Sequence, residues 1–296
     1  MQIRIIKILK EWEISKSLIF NADDYGRSPE ISEGIRAAHK YGVVTSTTCM
    51  MNIATTADDI SLALKESPML GLGVHLVLTM GQPLSAHGAV KSLTDQQGSF
   101  FKYGQVLKSL PNLNSEEVRT EWQAQIDAFI KAAGKKPDHL DSHHHASYFS
   151  PALFRVMLEL AKEYDCPIRF PFTARAPGEW GKMQRYVPDL LNEFKPRRPD
   201  HFIAEFYDQQ ATSDVLIKLI NELGEGVSEL MCHPGFVPDA FVNESTYNTL
   251  RQRELGILID PAIRNAIEER EIELINFARL QPPDRRIENT GHRFLN

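Results

Sequence analysis

Cysteine is scarce in this chain: three in 296 residues, Cys49, Cys166 and Cys232, an odd number with no CxxC pair. Clustered thiols are what a disulfide framework or a zinc knuckle needs, so neither is expected. Long apolar runs are lacking as well. No stretch approaches the roughly 20 apolar residues of a membrane-spanning helix. The opening MQIRIIKILKEWEIS is interrupted by Lys7, Lys10 and Glu11, short of the roughly 7–15 apolar residues of a secretion signal. Concentrated positive charge is missing too. The net charge is −6 with both signs interspersed, which offers no footprint for nucleic acid or an anionic membrane. The expectation is a cytoplasmic protein that binds neither, with a homodimer left open.

What is present is enough apolar material, 42% of residues, to bury a sizeable core. Strand patterns fall at residues 17–23, 44–52, 72–78, 138–143, 168–172, 201–207, 228–233 and 272–278. Helical periodicity falls at about 30–41, 56–66, 115–133, 150–164, 212–223 and 246–270. Strands separated mostly by helices predict an α/β fold with a parallel sheet, open or closed into a barrel. Residues 79–114 carry Gly81, Pro83, Gly88, Gly98 and Pro111 and show no clear element, which predicts a functional loop. No repeat or linker divides the chain, so one domain over 17–296 is expected, preceded by an extension over 1–16.

The chemically suggestive residues sit at strand ends. In FNADDYG, Asp23 and Asp24 follow the apolar run Leu18, Ile19, Phe20. Adjacent carboxylates repel, so they need solvent or a cation; the plainer reading makes them a helix cap ahead of Pro29. His75 interrupts an apolar strand, and DSHHHAS places His143, His144 and His145 at the end of another. Strand alternation would put His143 and His145 on one face and turn His144 away. MCHPGF ends a further strand with His233. In a parallel α/β fold all carboxyl ends open on one face. A carboxylate and two or three imidazoles gathered there make a divalent-metal site. His39, His87, His139, His201 and His292 lie next to turns or charges and are expected to be solvated or to support the site from behind.

NADDYG, GVVTSTTCMMN, GLGVHLVLTMGQPL, KPDHLDSHHH and ELMCHPGF resemble, in order, the motifs of the YdjC-like carbohydrate deacetylases, which include the chitooligosaccharide deacetylases. The resemblance runs from about Leu18 to the C-terminal strand. It implies a distorted TIM-like barrel with the site at the C-terminal ends of the strands, one divalent ion (magnesium or zinc), and removal of an acetyl group from N-acetylglucosamine units of a short chitooligosaccharide, phosphorylated or not. Carried onto this chain, it implies Asp24, His75 and His143 as metal ligands, Asp23 as general base, and His233 beside the leaving group. Two departures stand out. The family continues after DSHHH with Val and another His where this chain has Ala146 and Ser147. About fifteen residues before Lys16 have no counterpart, and a mobile arm is expected there.

The chemistry agrees. A metal-bound water is more acidic and the ion steadies a developing oxyanion, while a neighbouring carboxylate and imidazole move the proton. Asn21 and Asp141 are candidates to orient ligands. His145 and Arg169 are candidates either to support the site or to meet the sugar, and the cluster Lys195, Arg197, Arg198 is weighed as a phosphate contact against a solvated loop. Two other classes stay open: a non-haem iron oxygenase, which shares the two-histidine, one-carboxylate ligand set, and a catalytically silent carbohydrate-binding protein.

Overall fold

The computed structural model describes residues 16–172, 183–237 and 247–281. The strands are β1 (Lys16–Tyr25), β2 (Ser46–Cys49), β3 (Gly71–Leu76), β4 (Leu140–Ser142), β5 (His201–Ile203), β6 (Gly226–Cys232) and β7 (Glu273–Leu274). The helices are α1 (Pro29–Tyr41), α2 (Thr56–Glu66), α3 (Tyr103–Ser109), α4 (Ser115–Ala133), α5 (Pro151–Tyr164), α6 (Val187–Phe194), α7 (Ser213–Asn221), α8 (Thr249–Leu258) and α9 (Pro261–Glu269).

All ladders are parallel, in the order β4-β3-β2-β1-β6-β5, with β7 pairing β1 at Ser17 and Leu18. The sheet curls into an incomplete barrel surrounded by helices, the distorted TIM-like α/β architecture anticipated above. Its two edges meet through an irregular segment in place of a strand. Ile168 bridges Leu140 of β4, and its N–H donates to Arg197 O, shortly before β5. The strand expected over 168–172 is therefore a single bridge, because Pro167 and Pro171 flank it and lack the donors a ladder needs.

β1 is buried along almost its whole length, as the central strand of a parallel sheet must be. Leu18, Phe20 and Ala22 join the main core, whereas Ile19 packs with Ile275, Phe277 and Leu280. Alternation thus sends Ile19, Asn21 and Asp23 to the second face. The expected 246–270 helix is two helices, since Asp260 caps α9 and Pro261 occupies its first turn. α3 and α6 were not anticipated. Residues 79–114 run beside the cavity and are pinned by α4: Glu121 accepts the N–H groups of Leu84 and Ser85, and Glu117 accepts that of Ser92. The three cysteines are free and buried. Among the described residues no helix is long and apolar enough to cross a membrane. The 1–16 extension, apart from Lys16, lies outside the described residues, as does His292.

Candidate active site

Two adjacent strand residues ordinarily face opposite ways, yet Asp23 and Asp24 both line one cavity of about 680 Å³. The reason is local. The β1–β2 register shifts between Ala22 and Tyr25, and Asp24 has φ +72°, a left-handed kink that turns its carboxylate back toward the site. The helix-cap reading fails, because Ser28 caps α1 through the N–H of Ile31.

The histidines arrive by a second irregularity. β4 stops at Ser142, and His143–Tyr148 form a tight turn in which His144 and His145 have φ +55° and +58°. Left-handed backbone at a non-glycine residue costs on the order of 1–3 kcal/mol and gathers at functional sites. The alternation expected for His143–His145 does not hold. All three line the cavity, because a turn and not a strand carries them.

Asp24 Oδ1 lies 3.4 Å from His75 Nε2 and 3.1 Å from His143 Nδ1. It is buried without a well-formed hydrogen bond. Ligand atoms held tetrahedrally at about 2.0–2.1 Å from one ion stand roughly 3.3 Å apart, so the spacing fits a metal. The rest of the arrangement supports this. His75 Nδ1 faces Asp141 Oδ1 at 2.7 Å, and Thr48 donates to Asp141 Oδ2 at 3.0 Å. This contact fixes the ring so that Nε2 points at Asp24.

Charge points the same way. Asp23, Asp24, Asp141 and Glu229 are all buried, and they outnumber the guanidiniums that touch them, Arg169 and Arg251. Protons fill the deficit. Burial opposes a charge on His75, but the Asp141 carboxylate outweighs it and raises the imidazole pKa to about 10. Burial lifts Glu229 to about 7 against the pull of Arg169. A site that drives an imidazole to hold a proton is suited to a cation. A second acidic group, Asp23, His75 and Asp141, also comes close together, but Arg169 donates to Asp23 and forms an ion pair with Asp141 and already supplies its positive charge.

Asp23 accepts both terminal nitrogens of Arg169 and the amide of Asn21, and its Oδ2 lies 3.9 Å from His233 Nε2. Burial favours the neutral acid, yet Arg169, His75 and His233 hold the carboxyl well below the usual range. His233 is pulled down to about 4, by burial first and against the attraction of Asp23. Its loop is seated close to α1: a Cβ on Gly34 would lie 2.6 Å from Gly235 Cα. Its ring is flanked by Tyr207 and Tyr247, each with a centroid 5.4 Å away.

All of these residues fall within the span of one family model. The family model described as YdjC-like protein matches residues 17–269. The chain belongs to the YdjC-like family. A carbohydrate deacetylase of Enterococcus faecalis is 36% identical over 271 residues, covering 90% of this chain and 98% of the relative. One from Clostridium beijerinckii is 38% identical over 262 residues, with 88% and 98% coverage. A chitooligosaccharide deacetylase of Yersinia enterocolitica is 34% identical over 259 residues, with 86% and 96% coverage. A solved structure from Enterococcus faecalis V583, provisionally assigned to cellobiose-phosphate cleavage, superposes with a TM-score of 0.80 at 36% identity, covering 89% of this chain and 98% of that one.

In this YdjC-like chain the structure brings Asp23, Asp24, His75, His143, His145 and His233 onto one cavity, with Asn21 and Asp141 behind them. Arg169 does not reach the cavity. It is fully buried and donates to Asp23 and Glu229. The Lys195–Arg198 cluster is elsewhere: Arg197 pairs with Asp165, and Arg198 lies over Phe170. His139 is neither solvated nor at the site; it is buried and stacked on Phe277 at 3.8 Å. Sequence reading missed Arg27, Tyr103, Tyr207, Tyr247 and Arg251, which also line the cavity, and Glu254, which accepts the His233 N–H and the Tyr247 hydroxyl. A signal existed for two of them. Arg251 and Glu254 stand three apart on α8 and so share one helix face, charged positions in a segment that also has to bury Leu255 and Leu258.

Proposed function

We propose that this chain is a metal-dependent carbohydrate N-deacetylase that removes an acetyl group from N-acetylglucosamine units of a short chitooligosaccharide. The observation that carries the reading is the orphaned Asp24 Oδ1 between His75 and His143, with Asp23 and His233 across the same cavity. The names of the curated relatives support it. Asp24 Oδ1, His75 Nε2 and His143 Nδ1 would hold one divalent ion, zinc or magnesium. When bound, that ion acidifies water and polarises the acetyl oxygen.

The chain's own groups handle the proton. Asp23 takes it from the attacking water as the hydroxyl joins the acetyl carbon. His233, neutral at neutral pH, stands 3.9 Å from Asp23 Oδ2; as the two close to hydrogen-bond distance it receives that proton and delivers it to the nitrogen as the C–N bond breaks. Water's hydroxyl ends on acetate and its proton on the amine, so the step balances. Arg169 keeps Asp23 oriented and ionised between turnovers. Arg27 and Lys102 on the cavity wall would meet a phosphate on the sugar. That finer reading draws support from the solved relative assigned to cellobiose-phosphate.

The test is digestion of N,N′-diacetylchitobiose, with and without a 6-phosphate, by zinc-loaded and chelator-treated protein. The expected product has lost one acetyl group, with acetate released only by the loaded protein. Cleavage of the glycosidic bond, or oxygen consumption in place of acetate release, would overturn the reading.

A further inference from the structure

Three cations line the cavity among the described residues: Arg27, Lys102 and Arg251. Lys102 is exposed and Arg27 half-buried, whereas Arg251 is 3% exposed. Arg251 stands on α8. Its Nη2 donates to Asp24 Oδ2, its Nε donates to Tyr247 O at 3.2 Å, and its carbonyl accepts the Gly235 N–H at 3.2 Å. Its Nη1 is buried and has no acceptor. A guanidinium offers five N–H donors in a planar fork, and leaving two of them unmet beside a cavity is costly unless a ligand meets them.

The ligand's position follows from Asp24. One oxygen of that carboxylate faces His75 and His143, where the ion fits, and the other is held by Arg251. Arg251 is therefore bonded to the same carboxylate that would hold the ion, and the group reacting there is the acetyl. Its carbonyl oxygen gains charge as the carbon becomes tetrahedral, and the released acetate carries a full negative charge over two oxygens. Sugar hydroxyls offer neither. A buried guanidinium favours charged, two-oxygen partners over neutral ones.

We propose that Arg251 is the acyl-binding residue of this site. Its Nη1 donates to the acetyl group and then to the acetate released, while its Nη2 holds Asp24 so that Oδ1 alone faces the imidazoles. The inference rests on the deacetylase reading. It also makes acetate a product inhibitor, bound more tightly than its neutral analogue acetamide.

The experiment uses zinc-loaded full-length protein, wild type, Arg251→Gln and Arg251→Lys. Affinities for sodium acetate and acetamide are measured by ligand-observed NMR, and zinc content by elemental analysis. Arg251→Gln is expected to keep its zinc, to weaken acetate binding by about tenfold or more, the usual cost of one charged hydrogen bond, and to change acetamide binding much less. Arg251→Lys, which keeps the charge and loses the fork, should fall between. Equal effects on the two probes, or unchanged acetate affinity, would overturn the proposal. Should the variants not fold, a crystal structure of the wild type soaked in acetate decides: a carboxylate on Nη1 supports the contact and one seated elsewhere overturns it. A wild type that binds acetate through Arg251 but releases none from acetylated sugars overturns the deacetylase reading and leaves the contact standing.

Discussion

Arg169 grips Asp23 at both oxygens, Nη2 to Oδ1 at 2.6 Å and Nη1 to Oδ2 at 2.7 Å, while its Nε donates to Glu229 at 2.7 Å. One fully buried guanidinium thus serves carboxylates from β1 and β6 and ties the two strands together beneath the site. Arg169→Lys keeps the charge but not the fork. Removing one partner of a buried, hydrogen-bonded charge set typically costs about 3–5 kcal/mol, so Arg169→Lys, which retains the charge with its donors on a single nitrogen, should lose roughly 2–3 kcal/mol in urea unfolding. It should lower kcat more than it raises KM. The acid limb of its kcat/KM profile should move up in pH, since Asp23 loses the paired guanidinium hydrogen bonds that help hold its carboxyl low. An unfolding midpoint and acid limb identical to wild type would show that the grip is incidental.

The proposed mechanism gives the two adjacent aspartates separable tasks. On that reading Asp24→Asn removes the anionic ligand and leaves two neutral imidazoles, so elemental analysis after gel filtration should find little zinc where the wild type is expected to hold about one per chain. Asp23→Asn should keep its zinc and its fold while turnover falls by about 10²–10⁴-fold, the range for a lost general base. Zinc lost from Asp23→Asn and kept by Asp24→Asn would mean the assignment is reversed.

How far these tasks were legible beforehand depends on what kind of signal set each residue's place. The helices at 56–66 and 115–133 match the observed bounds because amphipathic spacing and a following Gly134 at φ +66° are local properties. The carboxyl-end clustering of Asp23, His75, His143 and His233 follows from parallel topology, so it too was within reach. The orientation of Asp24 and of His144 and His145 was not, because left-handed kinks at non-glycine residues override strand alternation and leave no mark in hydrophobic pattern. Spacing could show that Arg251 and Glu254 share a helix face, but not that this face is buried at the site. Their burial is decided by the distant β1 and by the His233 loop, not by neighbours in sequence.

Glu254 gives the protein a pH-dependent element away from the ion ligands. Burial raises its pKa from 4.5 to about 7, although the Tyr247 hydroxyl and the His233 N–H pull it down. A carboxyl whose folded pKa is raised adds stability that is full below the unfolded value and lost as pH climbs through the folded one. The window is therefore about pH 4.5 to 7. Glu254→Gln stays neutral and keeps an acceptor. Urea unfolding of metal-free protein should show the variant gaining on the wild type between pH 5 and 8, by on the order of 3 kcal/mol at full shift. Parallel pH curves for the two proteins would mean that Glu254 is not neutral in the fold.

Tyr207 and His233 touch, yet they should fail in opposite ways. Tyr207 is 43% exposed and lies flat on Tyr247, with centroids 4.6 Å apart and planes 3° from parallel. A half-open ring at a cavity edge is a platform for the apolar face of a sugar, and it takes no part in proton movement. Tyr207→Ala should therefore raise KM about tenfold, the scale of one aromatic contact, with kcat little changed. His233 keeps only 13% of its side chain exposed, with its Nε2 toward Asp23, where it can pass a proton but hold little of the sugar. His233→Ala should leave KM near normal and lower kcat by about 10²–10⁴-fold. Substrates whose departing amine is less basic need less protonation, so the His233→Ala deficit should shrink for them while the Tyr207→Ala deficit does not. If both substitutions moved KM alone, His233 would be a sugar contact, and the proton on the leaving nitrogen would have to come from another group.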